Sequence, residues 1–132
     1  LGPGPLAAAL NDDVFASTGG QRYATLVYGE LHVGTRALRL INAGHGGVHV
    51  TPDEHAPTDT AAAAGLPTGP ALGLFARAAF DEQEVPLAPG SRLVLFTDGV
   101  NEALDAAGAE FGMAGVDAVL RAQRGQPAAA QA

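Results

Sequence analysis

Arg22-Tyr23-Ala24-Thr25-Leu26-Val27-Tyr28-Gly29-Glu30-Leu31-His32-Val33-Gly34-Thr35-Arg36-Ala37-Leu38-Arg39-Leu40-Ile41-Asn42 decides the fold of this 132-residue chain. Arg22 to Val33 carries Tyr, Thr, Val and Leu at the density of a β-strand. Tyr23, Thr25 and Val27 fall on one face and Ala24, Leu26 and Tyr28 on the other. Neither face is polar, so the strand is expected to be covered on both sides. Gly34-Thr35 supplies a hairpin turn, and Ala37 to Asn42 returns antiparallel with Leu38 and Leu40 on one face.

Upstream, Leu6 to Ser17 has neither glycine nor proline, and Leu6, Leu10 and Val14 recur every four residues with Phe15 beside them. That spacing predicts an amphipathic helix, ended at Thr18-Gly19-Gly20 by a left-handed glycine cap. Downstream, the glycine loop Ala43-Gly44-His45-Gly46-Gly47 leads into an extended run over Val48 to Val50. Thr51 to Ala64 reads as a surface loop and Gly65 to Phe75 as an irregular connection. Phe80 to Leu87 is expected at a sheet edge, because Pro86 has no N–H for a ladder. Pro89-Gly90 turns the chain into a buried strand, Arg92 to Thr97. Phe111 to Arg124 predicts a second helix with Val116, Val119 and Leu120 on one face, and residues 125–132 an unstructured tail. The order of elements points to an α/β (α+β) fold with a mostly antiparallel sheet.

Bulk properties narrow the function classes. Seven basic residues against fourteen acidic ones leave a net charge of −7, the wrong sign for a protein that reads a nucleic-acid backbone or an anionic membrane surface. No apolar run reaches membrane-spanning length, and Leu1-Gly2-Pro3-Gly4-Pro5 does not resemble a secretion signal, so a cytoplasmic domain is expected. Cysteine is absent, which excludes thiolate metal sites and disulfides. Ser17 and Ser91, the only serines, lie outside any nucleophile motif.

Two segments can carry chemistry. Leu93-Val94-Leu95-Phe96 runs directly into Thr97-Asp98-Gly99-Val100-Asn101-Glu102. A carboxylate at a strand end is held by a rigid element at the rim of the core, and Mg²⁺ or Mn²⁺ prefers such oxygen donors. Gly99 is expected to let the chain turn sharply and a ligand come close. The competing role for Asp98 is to cap a helix beginning near Val100. In the second segment, Asn42-Ala43-Gly44-His45-Gly46-Gly47, exposed backbone amides could cradle an anion, or the loop could be a plain glycine-rich turn with His45 in solvent. A zinc site from His45, His49 and His55 lacks a helix to bring the first two onto one face.

Taken in order, Tyr23-Ala24-Thr25-Leu26-Val27-Tyr28-Gly29, Leu40-Ile41-Asn42-Ala43-Gly44-His45, Leu72-Gly73-Leu74, Pro89 to Ala103 and Phe111-Gly112 resemble the bacterial SpoIIE-like branch of the metal-dependent (PPM-type, 2C-class) protein phosphatases. The resemblance covers about residues 6 to 120, and its most specific strings are Asn-Ala-Gly-His and Thr-Asp-Gly-Val-x-Glu-Ala. It implies an αββα sandwich with a two-metal Mn²⁺ or Mg²⁺ site at one end of the paired sheets. There the metals activate a bridging water against a phosphoserine or phosphothreonine of an anti-anti-sigma-type regulatory protein. By position, Asp98 is the catalytic, metal-binding aspartate. Gly99 and Glu102 belong to the same motif, while Asn42, Gly44 and His45 order the loop beside the site.

The resemblance also implies a Gly-Asp-x-x-Asp motif before Leu6 and a closing Asp-Asp motif after the second helix, and neither is among these 132 residues. Asn11-Asp12-Asp13 lies on the first helix and does not replace them. The sequence therefore reads as a partial αββα domain, expected by itself to bind Mn²⁺ weakly and to turn over little phosphoprotein. Outer strands that are missing would leave edges open to pairing with another chain, a homodimer included. The other reading is a catalytically inactive pseudophosphatase or protein-binding module that keeps the fold and a partner surface.

Overall fold

The computed structural model describes residues 2–51, 66–123 and 126. The loop expected after Thr51 and the expected tail, Gln126 apart, lie outside the described residues. The elements run α1 (Pro3–Thr18), β1 (Leu26–His32), β2 (Ala37–Ala43), β3 (Val48–Thr51), β4 (Gln83–Pro86), β5 (Arg92–Leu95), α2 (Asp98–Asn101) and α3 (Gly112–Ala122). They form a three-stranded sheet in the order β1-β2-β4 and a two-stranded sheet of β3 and β5, antiparallel throughout. This is the mixed class expected of a partial αββα sandwich. The chain divides into two compact units, residues 1–45 with 63–87, and residues 46–62 with 88–132.

In the first unit the hairpin forms as its sequence dictates. Leu26 faces Ala43 and Tyr28 faces Ile41 across the β1–β2 ladder. These inward residues pack with Ala7 of α1, Leu72 and Phe80 into the core. The expectation that β1 is covered on both faces is not met. Leu31 and Val33 are 58% and 78% exposed, whereas β2 is buried along almost its whole length. The reason is position: β2 lies between two partners and beneath α1, while β1 is an outer strand among the described residues. At the other edge β4 is shorter than the expected Phe80 to Leu87 span, and its Pro86 sits opposite Ala37 at the end of the ladder.

Helix α1 begins earlier than its apolar spacing suggests, with Pro3 in its first turn, where a missing N–H costs nothing. Gly19 ends it in the left-handed conformation, as the glycine pair predicts. The buried stripe is Pro3, Gly4, Ala7 and Asn11; of the expected Leu6-Leu10-Val14 face, Val14 packs partly buried against the core, Leu6 is half-buried and Leu10 is exposed. Asn11 accounts for the rotation. It is fully buried, accepts a 2.9 Å bond from the Gly73 N–H and donates a 3.0 Å bond to the Phe75 carbonyl. A buried amide that satisfies two backbone groups of a neighbouring loop fixes which side of the helix faces inward. No side chain caps α1 at Gly2; instead Glu82, next to β4 in sequence, accepts from the Gly4 N–H at 2.9 Å.

In the second unit β5 is not the buried strand that its Leu-Val-Leu-Phe run implies. Its residues alternate between half-buried and exposed, with Leu93 and Leu95 on the open face. Its ladder partner among the described residues is the four-residue β3. α3 spans Gly112–Ala122 and buries Val116, while Val119 of the expected apolar face remains exposed.

Candidate active site

The loop after β2 is built around one buried amide. Asn42 is inaccessible to solvent, and its side chain closes the loop in both directions. Its Oδ1 accepts from the His45 N–H at 2.8 Å and its Nδ2 donates to the His45 carbonyl at 2.9 Å. Its own backbone is tied to Thr68, whose Oγ1 accepts from the Asn42 N–H at 2.9 Å while the Thr68 N–H donates to the Asn42 carbonyl at 2.8 Å. Gly44 lies inside this closed loop at φ 68°, and a Cβ there would stand 2.8 Å from the Ala71 nitrogen. Only glycine meets both demands. His45 is half-buried, with Nδ1 3.1 Å from the Thr25 Oγ1. It is therefore not the solvent-facing turn histidine of the simpler reading. Thr25 and Thr68 were not singled out by the sequence. They lie 20 and 26 residues from their partners, and threonine in such segments carries no signal of its own.

In the second unit the β3–β5 ladder continues one step past the strands, where the Phe96 N–H donates to the Gly47 carbonyl at 3.0 Å. Gly47 takes φ 67°, and a Cβ on it would meet the Phe96 carbonyl oxygen at 2.3 Å. This close approach sets the next residues beside Gly46. A Cβ on Gly46 would stand 3.3 Å from the Asp98 Oδ1, so the carboxylate lies against a bare stretch of backbone. His49, on β3, stacks on Phe96 with ring centroids 5.5 Å apart.

Asp98 is the first residue of α2 and Thr97 is its N-cap, made without a side-chain hydrogen bond. The cap position expected for Asp98 in the alternative reading thus belongs to its neighbour. The Asp98 carboxylate is exposed, and among the described residues it has neither a hydrogen bond nor a salt bridge. Gly99 sits in the helical turn and is absent from the residues with positive φ, so the reversal after β5 does not need a glycine torsion. What Gly99 contributes is room: its nearest neighbour would be the Thr97 Oγ1 at 3.7 Å. Glu102 follows one turn after Asp98, and its N–H donates to the Asp98 carbonyl at 2.8 Å.

Among the described residues no three His, Asp or Glu side chains come together to hold a metal ion. Asp98 offers one carboxylate, and a pair of divalent ions needs several bridging and terminal oxygens. The described residues do not by themselves fit a two-metal site. The histidines do not gather into a zinc site either: His45 turns to Thr25, His49 to Phe96, and His55 lies outside the described residues.

The family model for Stage II sporulation protein E (SpoIIE) matches residues 1–132. Protein IcfG of Synechocystis sp. (strain ATCC 27184 / PCC 6803 / Kazusa) is 31% identical over 99 residues, which cover 74% of the chain and 15% of IcfG. The match thus spans under one sixth of that relative. No solved structure matches significantly.

Proposed function

Because the chain belongs to the Stage II sporulation protein E (SpoIIE) family of phosphatase-type domains, we propose that it is part of a metal-dependent protein serine/threonine phosphatase. Its substrate is a phosphoserine on a regulatory protein of the anti-anti-sigma type, and its metal is Mn²⁺ or Mg²⁺. The observation that carries this reading is Asp98. A rigid ladder delivers an exposed carboxylate, without a partner among the described residues, beside the bare backbone at Gly46. Asp98 supplies one metal-binding oxygen donor, and the remaining donors come from outside the described residues. Asn42 and Gly44 hold the His45 loop in shape, and Glu102 stands one turn along from Asp98.

The experiment is phosphate release by the full-length protein from matched phosphoserine, phosphothreonine and phosphotyrosine proteins with Mn²⁺ present. Release from the phosphoserine protein, with phosphotyrosine left intact, is expected. Equal release from phosphotyrosine would remove the serine/threonine assignment. The absence of a three-donor cluster among the described residues favours the second reading, a phosphoprotein-binding module that does not turn over its partner. Tight phosphoprotein binding without release in Mn²⁺ would select it.

A further inference from the structure

The segment after Leu72 is a turn fastened at several points. Ala24 and Leu72 exchange backbone bonds at 3.0 and 2.8 Å, and the Leu74 N–H donates to the Ala71 carbonyl at 3.3 Å. Gly73 takes φ 80°, and a Cβ on it would meet the Val14 Cγ1 at 2.5 Å and the Arg22 carbonyl oxygen at 2.9 Å. From α1, Asn11 holds the Gly73 N–H and the Phe75 carbonyl, and the Asp12 Oδ1 accepts from the Arg77 N–H at 3.2 Å. This frame presents apolar side chains to solvent. Leu74 and Phe75 are 45% and 59% exposed, and Tyr23, next to Ala24 of the backbone bridge, is 67% exposed. Arg22 and Arg77 flank them in sequence, both exposed and without a salt bridge among the described residues. Arg77 holds φ 54°, a left-handed torsion that glycine takes without steric cost. What arginine adds there is its side chain.

We propose that this turn docks the phosphoprotein substrate, through a segment of that protein in which apolar side chains stand next to carboxylates. The inference rests on the phosphatase reading and gives the protein a contact with its substrate beyond the phosphoserine itself. Charge decides between occupants. The chain carries a net charge of −7, yet two exposed guanidiniums flank this apolar turn. Asp12 is already engaged by the Asn11 amide and the Arg77 N–H. A second copy seated here through a two-fold axis would set the arginine-flanked patch against itself. A basic segment would meet the same repulsion. A purely apolar one would cover the guanidiniums without a compensating charge. An acidic and apolar segment covers Tyr23, Leu74 and Phe75 and pairs Arg22 and Arg77. Tyr, Phe and Arg are the residue types on which interfaces concentrate their affinity. A turn already held by α1 also loses little freedom on binding.

The test is steady-state kinetics of the full-length protein, Phe75→Ser and Arg77→Gly on a phosphoserine protein of the anti-anti-sigma type and on p-nitrophenyl phosphate. Each variant should raise KM for the phosphoprotein about tenfold, the scale on which an aromatic or arginine anchor is felt at an interface. kcat, and turnover of p-nitrophenyl phosphate, should not change. Arg77→Gly should leave the thermal midpoint no lower, because glycine accepts the left-handed torsion, so its loss of affinity is not unfolding. Added NaCl should raise KM of the unsubstituted protein more than that of Arg77→Gly. An unchanged KM in both variants, or an equal fall on p-nitrophenyl phosphate, would overturn the proposal. So would a dimer of the unsubstituted protein that Phe75→Ser dissociates, since the patch would then belong to a second copy. If no substrate is hydrolysed, the phosphatase reading fails, and calorimetric titration of the same phosphoprotein decides the turn separately. Binding weakened about tenfold in Phe75→Ser and Arg77→Gly supports it; equal affinity in all three proteins, or no binding, overturns it.

Discussion

Asn42 shows how one buried residue sets a loop. Its amide satisfies the N–H and the carbonyl of His45 at once, away from water. Asn42→Ala strips both partners, and leaving buried polar groups unmet costs about 2–4 kcal/mol. Urea denaturation should show that loss. Gly44→Ala should cost at least ~1–2 kcal/mol from the left-handed torsion alone. The contact with Ala71 adds to it, since the new Cβ would lie 2.8 Å from that residue's nitrogen. A thermal midpoint equal to that of the unsubstituted protein would contradict the loop geometry. Asn42, Gly44 and His45 were legible as a group because glycines packed around one histidine announce a tight loop. The threonines that fasten it were not, because Thr25 and Thr68 meet it only through the fold.

At the level of elements, α1 and the hairpin were legible from spacing, and the orientation of α1 was not. Leu6, Leu10 and Val14 make the more apolar face, yet Leu10 is exposed and Asn11 turns inward beside Val14, because the loop at Gly73 and Phe75 offers it two backbone partners. Hydrophobic periodicity is blind to a polar residue whose partners lie more than sixty positions away. The cap of α1 is equally remote. Glu82 accepts from the Gly4 N–H and pairs with Arg39, and both hold its carboxyl below the ordinary glutamate value of 4.5. A carboxylate whose pKa is depressed on folding stabilises the fold above its unfolded pKa. That contribution is lost as pH falls through 4.5 toward the folded value. The thermal midpoint of the protein should therefore drop more steeply below pH 4.5 than that of Glu82→Gln. Parallel curves would show that the link between α1 and the β4 segment contributes nothing. β5 shows the opposite case: an apolar run implies burial, but Leu93 and Leu95 lie exposed on one face of the strand.

For the whole molecule, the class of fold and the family were legible because several short motifs occur in a fixed order, although each alone is a common turn or strand end. The metal donors were not, because a centre of the kind proposed is assembled from segments far apart in sequence, and no three donor side chains come together among the described residues. The account therefore stands on Asp98. Its most direct test is a Mn²⁺ titration of phosphoserine-protein hydrolysis by the full-length protein and by Asp98→Asn, a change that keeps the shape of the side chain and removes its charge. The account predicts saturable Mn²⁺ activation in the unsubstituted protein and a loss of at least about a hundredfold in Asp98→Asn, the scale on which removing one catalytic electrostatic group is felt. Equal activity of the two proteins across the titration would contradict it.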